Sequence, residues 1–216
     1  MRDREQFEAT AEVLRGGREL DPGVRSLARW ISETFETDVV NIVIDALADS
    51  TPRLNVWLRT AAQASAFRSQ DGLGYDAVKQ TAISQRYTRA EGGALRSGSE
   101  PEPLVVFRAF EAEARNRAID LRPAELETLR SQLASPALWR IMVGWGRVVF
   151  FVHTDSDAAA VRDGQEFQRW TTAFLDATRP RDEFQVLRTS PPRFELDSKE
   201  RFDRDFRGSS YYYYFL

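Results

Sequence analysis

The stretch FFVHTDSD holds the only histidine of the chain, His153, followed closely by Asp155 and Asp157. An imidazole leaving an apolar run, with two carboxylates behind it, is a ligand set for a divalent cation, and Asp45 from an earlier hairpin would extend it. Such a centre would make the chain a metal-dependent hydrolase. The spacing matches no defined ligand motif, however, and the same residues have a plainer use. His153 can close a strand edge while Thr154, Asp155 and Ser156 form a turn or cap the next segment. The plainer use is preferred, and His153, Asp155 and Asp157 stand as metal ligands of an alternative reading.

Other chemistry is scarcer. Glu111 with Glu113, and Glu195 with Asp197 and Glu200, are carboxylate groupings that a glycosidase or nuclease could use. Both groupings adjoin charged helical segments, which favours a solvated face. A serine nucleophile would have to share His153, and no G-x-S-x-G elbow is present. With no cysteine, thiolate zinc sites, iron–sulfur clusters, disulfides and cysteine nucleophiles are all excluded. The GLG at Gly72–Gly74 lacks the third glycine of a dinucleotide loop, and no G-x-x-x-x-G-K-[ST] occurs. No cofactor is therefore expected.

The composition of the 216 residues, 42% hydrophobic and 12% aromatic, supports a packed core. The formal net charge is only −3, so no global field directs the chain to nucleic acid or to an anionic membrane. All but two of the 30 basic residues are arginines, Lys79 and Lys199 being the exceptions. That bias fits a GC-rich bacterial genome before it fits phosphate binding. No apolar run approaches the ~20 residues that span a bilayer, and MRDREQFEAT lacks the apolar region of a signal peptide. A cytoplasmic location is expected.

The elements that would position these residues follow from periodicity. LDPGVRSLARWISETF reads as a helix with Asp21 as N-cap, Pro22 at its first position and Leu27, Ala28 and Ile31 inward. VVNIVIDAL and RLNVWLR form a hairpin across ADSTP, and YDAVKQTAISQRYTRA is a helix with Tyr75, Val78, Ala82, Ile83 and Tyr87 on one face. EGGALRSGSEPEP is a linker. LVVFRAF is a strand that leads into the helical EAEARNRA, and RPAELETLRSQLA is a helix. LWRIMVGWGRVVFFVHT is a second hairpin turning at Gly144–Gly146, and EFQRWTTAFLDAT is a helix that Pro180 stops. RFEL, DSKERFDRDF and YYYYFL read as strand, short helix and strand. In the last of these, period two puts Tyr211, Tyr213 and Phe215 on one face and Tyr212 and Tyr214 on the other. The tryptophans 57, 139, 145 and 170 hold regular positions and are expected in the core.

The halves 1–100 and 101–216 share one order of elements: helix, hairpin, helix, strand, helix. Thr60 and Thr154 close the two hairpins, and Asp71-Gly72 and Asp163-Gly164 precede the helices that follow. The sequence thus predicts an α+β fold with mixed or antiparallel sheets built from hairpins, helices packed on one face, and an internal pseudo-duplication. Since no catalytic constellation stands out, the expected role is non-enzymatic: a bacterial interaction or regulatory protein of the accessory, inhibitor or immunity kind. Its partner would be another protein or a second copy, not nucleic acid or membrane.

Overall fold

In each half the two apolar runs pair as a hairpin, and a third strand returns beside the second. The computed structural model describes residues 3–91, 102–162 and 164–215, and the chain divides into two compact units, Met1–Glu113 and Ala114–Leu216. In the first, α1 (Asp3–Leu14) and α2 (Pro22–Thr34) precede β1 (Val39–Ala46) and β2 (Pro52–Leu58). After these come α3 (Ala61–Ser65), α4 (Ala77–Glu91), β3 (Leu104–Ala109) and the first turn of α5 (Phe110–Ile119). The second has α6 (Pro123–Leu133), β4 (Leu138–Gly144), β5 (Arg147–Val152), α7 (Asp155–Arg162) and α8 (Gln165–Thr178), then a short α9 (Val186–Thr189). It closes with β6 (Arg193–Ser198), α10 (Lys199–Phe206) and α11 (Ser210–Phe215).

The two sheets have the same order, β1-β2-β3 and β4-β5-β6, with an antiparallel hairpin and a parallel third strand in each. Both hairpins carry a register irregularity at the start of the first strand, between Val39 and Asn41 and between Leu138 and Arg140. A shared order is common, but a shared bulge is not forced by it, so the α+β fold carries its repeat into fine structure.

In the first unit Asp21 accepts the Gly23 N–H at 2.9 Å and Pro22 fills the first turn, so α2 starts where its caps dictate. Its Leu27, Ala28 and Ile31 are buried against Ile42, Leu54 and Val56, joined by Phe67 and Ile83. The helices expected on one face are there, and the opposite face carries a second layer. There α1 lays Phe7 against Phe110 (ring centroids 5.1 Å apart) and Trp57 (6.4 Å), while its buried Gln6 and Thr10 meet polar groups of the sheet. Gln6 donates to Asp45 at 2.9 Å, Asn41 donates to Thr10 at 3.2 Å, and Arg53 grips both oxygens of Asp45 at 2.9 and 2.8 Å. The Arg53 hydrogen bonds hold the Asp45 carboxyl below its usual pKa.

In the second unit Ile141, Val148, Phe150 and Val152 pack on Leu129 and Leu133 of α6 and on Trp170 and Phe174 of α8. On the other face Met142, Val149 and Phe151 lie under Phe202 of α10 and Tyr213 of α11. Each sheet is therefore buried on both sides, by an apolar helix layer and by a smaller cover drawn from a different part of the chain.

Two expectations about the helices need correction here. YYYYFL does not form a strand: residues 210–215 are helical. Arg207 and Gly208, at φ 53° and 65°, end α10 with a left-handed turn, and the Tyr213 N–H then bonds back to the Ser209 carbonyl at 3.0 Å. A strand would send Tyr213 and Tyr214 to opposite faces, whereas the helix drops both onto the sheet and leaves Tyr211 and Phe215, one turn apart, in contact outside at 5.0 Å. Packing overrides the β propensity of tyrosine. Val78 is not on the inner face of α4 either: Ile83 is inward as expected, but Val78 lies five residues and about 140° round the helix from it and is exposed. The central part of the Gly- and Pro-rich linker, 92–101, lies outside the described residues. No helix among the described residues is long and apolar enough to cross a membrane.

Candidate functional site

His153 leaves the end of β5, its N–H bonded to the Ala137 carbonyl at 3.1 Å and its side chain exposed. The residues after it are engaged in starting a helix. Thr154 Oγ1 accepts the Asp157 N–H at 3.0 Å, and the Asp157 carboxylate accepts the Thr154 N–H at 3.1 Å, a reciprocal capping box for α7. The Asp155 N–H donates to Glu200 at 2.8 Å, and the Asp155 carboxylate takes the Ser198 hydroxyl and, at 3.1 Å, the Arg204 guanidinium. Those two donors, Ser198 first, keep the Asp155 carboxyl below its usual pKa.

The first unit repeats the arrangement. Thr60 and Gln63 form the same capping box at α3, and the Ala61 N–H donates to Glu111 at 3.1 Å, as Asp155 does to Glu200. Arg59 stands there in the place of His153. In both units these side chains tie the end of the second strand to the helix that follows it and to the helix after the third strand. Asp45, the further carboxylate of the metal reading, is in the first unit, held by Arg53, Asn55 and Gln6. Among the described residues no three His, Cys, Asp or Glu side chains are grouped to hold a metal.

The other carboxylates are also committed to structure. Glu111 and Glu200 are the capping partners just described. Asp197 is buried and takes the Tyr213 hydroxyl at 3.0 Å and the Arg201 guanidinium at 3.3 Å. Burial first, and then the negative Asp197, raises the Tyr213 pKa, so this phenol stays neutral and donating.

The concave feature that periodicity did not reveal lies along β4. A groove of about 630 Å³ is lined by residues 140–143 of this strand, by α6 through Pro123 and Leu126, and by α11 through Tyr211 and Phe215. β4 is the outer strand of its sheet, so one side of its backbone has no neighbour. Since α6 packs on one sheet face and α11 on the other, the strand edge is the floor of the groove and the two helices are its walls. Its volume is that of an ordinary ligand site.

Which backbone groups face the groove follows from the turn. Trp145 and Gly146 have φ of 48° and 73°, a two-residue type I′ connection, so the flanking pair Gly144 and Arg147 exchange hydrogen bonds. The alternation of an antiparallel ladder then points the N–H and C=O groups of Ile141 and Val143 away from β5 and into the groove.

The aromatic wall is unusually open. Trp145 is 67% exposed, Tyr211 66% and Phe215 55%. Trp145 meets Tyr214 and Phe215 with centroids 4.9 Å apart in each case. A tryptophan in the left-handed region of a I′ turn occupies a place normally held by Asn, Asp or Gly, so its backbone is strained and its ring is left in water. Beneath it Tyr214 lies on Gly144, with the Arg147 guanidinium 4.9 Å from its ring centre; its hydroxyl is buried without a partner among the described residues, and burial raises its pKa. A second hollow of about 550 Å³ beside α9 has its acid groups in use, with Asp182 accepting the Val186 and Leu187 N–H groups.

Comparison with family models, curated proteins and solved structures finds no match for this chain. The only early sign of the groove was Trp145 itself, placed between two glycines at a hairpin tip. A core position was expected for it, because the exposure depends on the turn type, which is a matter of both central residues adopting positive φ.

Proposed function

We propose that this chain is a non-enzymatic interaction protein of the bacterial cytoplasm, an accessory, inhibitory or immunity-like factor, that binds another protein through the β4 groove. The observation that carries the reading is the exposed aromatic wall of Trp145, Tyr211 and Phe215 standing over an unpaired strand edge. Large exposed aromatics are energetically unfavourable in water and are the side chains that dominate protein interfaces. The near balance of charge and the arginine-rich composition agree with a cytoplasmic bacterial protein and supply no pull toward nucleic acid.

The test is co-purification from the native host with the wild-type chain and with Trp145→Ser/Phe215→Ser, both shown to melt alike. A stoichiometric protein partner that the double variant loses supports the reading, and a partner retained by it moves the surface elsewhere. Calorimetric titration with Mn²⁺, Mg²⁺ and Zn²⁺ addresses the alternative of a metal-dependent hydrolase. Stoichiometric binding lost in His153→Ala and Asp155→Ala would favour that alternative.

A further inference from the structure

The groove has a strand edge for its floor, and that dictates what fits. We infer that its ligand is an extended peptide segment of a partner protein, added beside β4 as a fourth strand, with a carboxylate side chain directed at Arg140. The inference rests on the interaction reading above and goes beyond it in naming the form and chemistry of what is bound.

Three observations converge. The outward N–H and C=O groups of Ile141 and Val143 have no hydrogen-bond partner among the described residues, and a neighbouring strand is the arrangement that satisfies all four at once. Residues 140–143 extend roughly 13 Å at about 3.3 Å per residue, enough for a strand of four or five residues. The inserted strand would lie between α6 and α11, so its alternate side chains would meet Pro123 and Leu126 on one side and Tyr211 and Phe215 on the other. Both faces of the peptide must then be largely apolar, unlike a strand that leaves one face in water.

Charge sets the exception. Glu127 on the α6 wall is already paired with Arg130. Arg140 projects on the α11 side of the sheet, in register with Phe151, is exposed, and pairs with no carboxylate among the described residues. One Asp or Glu on the α11-facing side of the peptide complements it, while Asp120 at the start of the α6 wall sets the opposite preference on the other side. The recess also argues against a second copy of β4 as occupant. An edge set back between two helices cannot meet another edge set back in the same way.

The experiment uses the full chain immobilised against a library of random linear octapeptides, followed by synthesis of the enriched consensus and measurement of its binding to wild type and variants by isothermal titration calorimetry. Enriched sequences should carry apolar residues on both alternating faces and one acidic residue at a fixed place. Single N-methylation along the consensus should weaken binding about tenfold or more at every second residue and little between, because each alternate N–H bonds to β4. Arg140→Glu should weaken the acidic consensus roughly tenfold and select basic residues in its place.

Peptides that depend on Trp145 and Phe215 yet show no two-residue period on N-methylation would overturn strand addition while leaving the interaction reading standing. Enriched peptides indifferent to the Trp145→Ser/Phe215→Ser variant, or no enrichment at all, would overturn the groove as a peptide site. A concentration-dependent dimer in sedimentation, dispersed by that variant, would overturn it in favour of self-association.

Discussion

Replacing Gly144 by alanine tests how α11 is held. Gly144 has no positive φ, so its backbone accommodates alanine without strain, and the cost must come from what the new methyl meets. It would stand 3.1 Å from Cζ and 3.2 Å from the hydroxyl oxygen of Tyr214, closer than ordinary carbon contacts. The ring must lift by a few tenths of an ångström, and it is coupled through Trp145 and Arg147 to the rest of the hairpin tip. Overpacking of this kind costs about 1–2 kcal/mol. For a chain of this length that lowers the melting temperature by roughly 2–8 °C. In a Tyr214→Ala background the obstacle is gone, and Gly144→Ala should become neutral or stabilising by about 0.5 kcal/mol through the reduced freedom of the unfolded chain. The double-mutant cycle, read by urea denaturation with far-UV circular dichroism, should therefore give a coupling of at least 1 kcal/mol. An equal cost in both backgrounds would refute the docking of α11 through Tyr214.

Further outcomes are expected from the same structure. Thr60→Ala and Thr154→Ala, the two copies of one capping box, should each lower stability by about 1 kcal/mol in denaturant titrations. Asp45→Ala should cost about 2–3 kcal/mol, since it leaves the largely buried Arg53 without its counter-ion. Because the Asp45 pKa is lowered in the folded state, its contribution is complete above the ordinary carboxylate pKa near 4 and is lost as pH falls through the lower folded value, which acid titration of wild type against Asp45→Asn will show. Glu125, held at about 2 by Arg122 and Arg181, loses its contribution between roughly pH 4 and 2 by the same sign, and Arg181→Ala should move its carboxyl resonance midpoint upward in NMR titration. Trp145→Asn should raise the melting temperature by a degree or more, because asparagine suits the left-handed turn position, while removing a wall of the groove.

Where apolar side chains face the core with a regular period, the sequence was legible. Leu27, Ala28 and Ile31 announced α2, Trp170 and Phe174 announced α8, and both hairpins followed from their alternating runs. α1 was missed because its inward face includes Gln6 and Thr10, which bury against Asp45 and Asn41, and hydrophobic periodicity cannot register a polar interface. α7 was missed because eight residues with three consecutive alanines leave too little apolar pattern, although its cap at Thr154 was visible. The groove was out of reach for a different reason: its floor is backbone, and its walls are helices 123–133 and 210–215, brought to one strand edge only by the folded sheet. The carboxylates beside His153 allowed two readings because capping and metal binding draw on the same oxygens, and the partners that engage Asp155 in the folded chain, Ser198, Glu200 and Arg204, are distant in sequence.

The covers on the second sheet faces have opposite provenance. Residues 3–14 shield β1–β3 from upstream of their hairpin, and residues 199–215 shield β4–β6 from downstream of theirs. A protease that clips near Gly16 would strip α1 from the first sheet and spare the other's cover, and a cut near Gly208 would take α11, though not α10, from the second. The duplicated units therefore have separate points of failure, so limited proteolysis should yield two alternative first products, one trimmed near residue 16 and one near residue 208, each shortened at one end only.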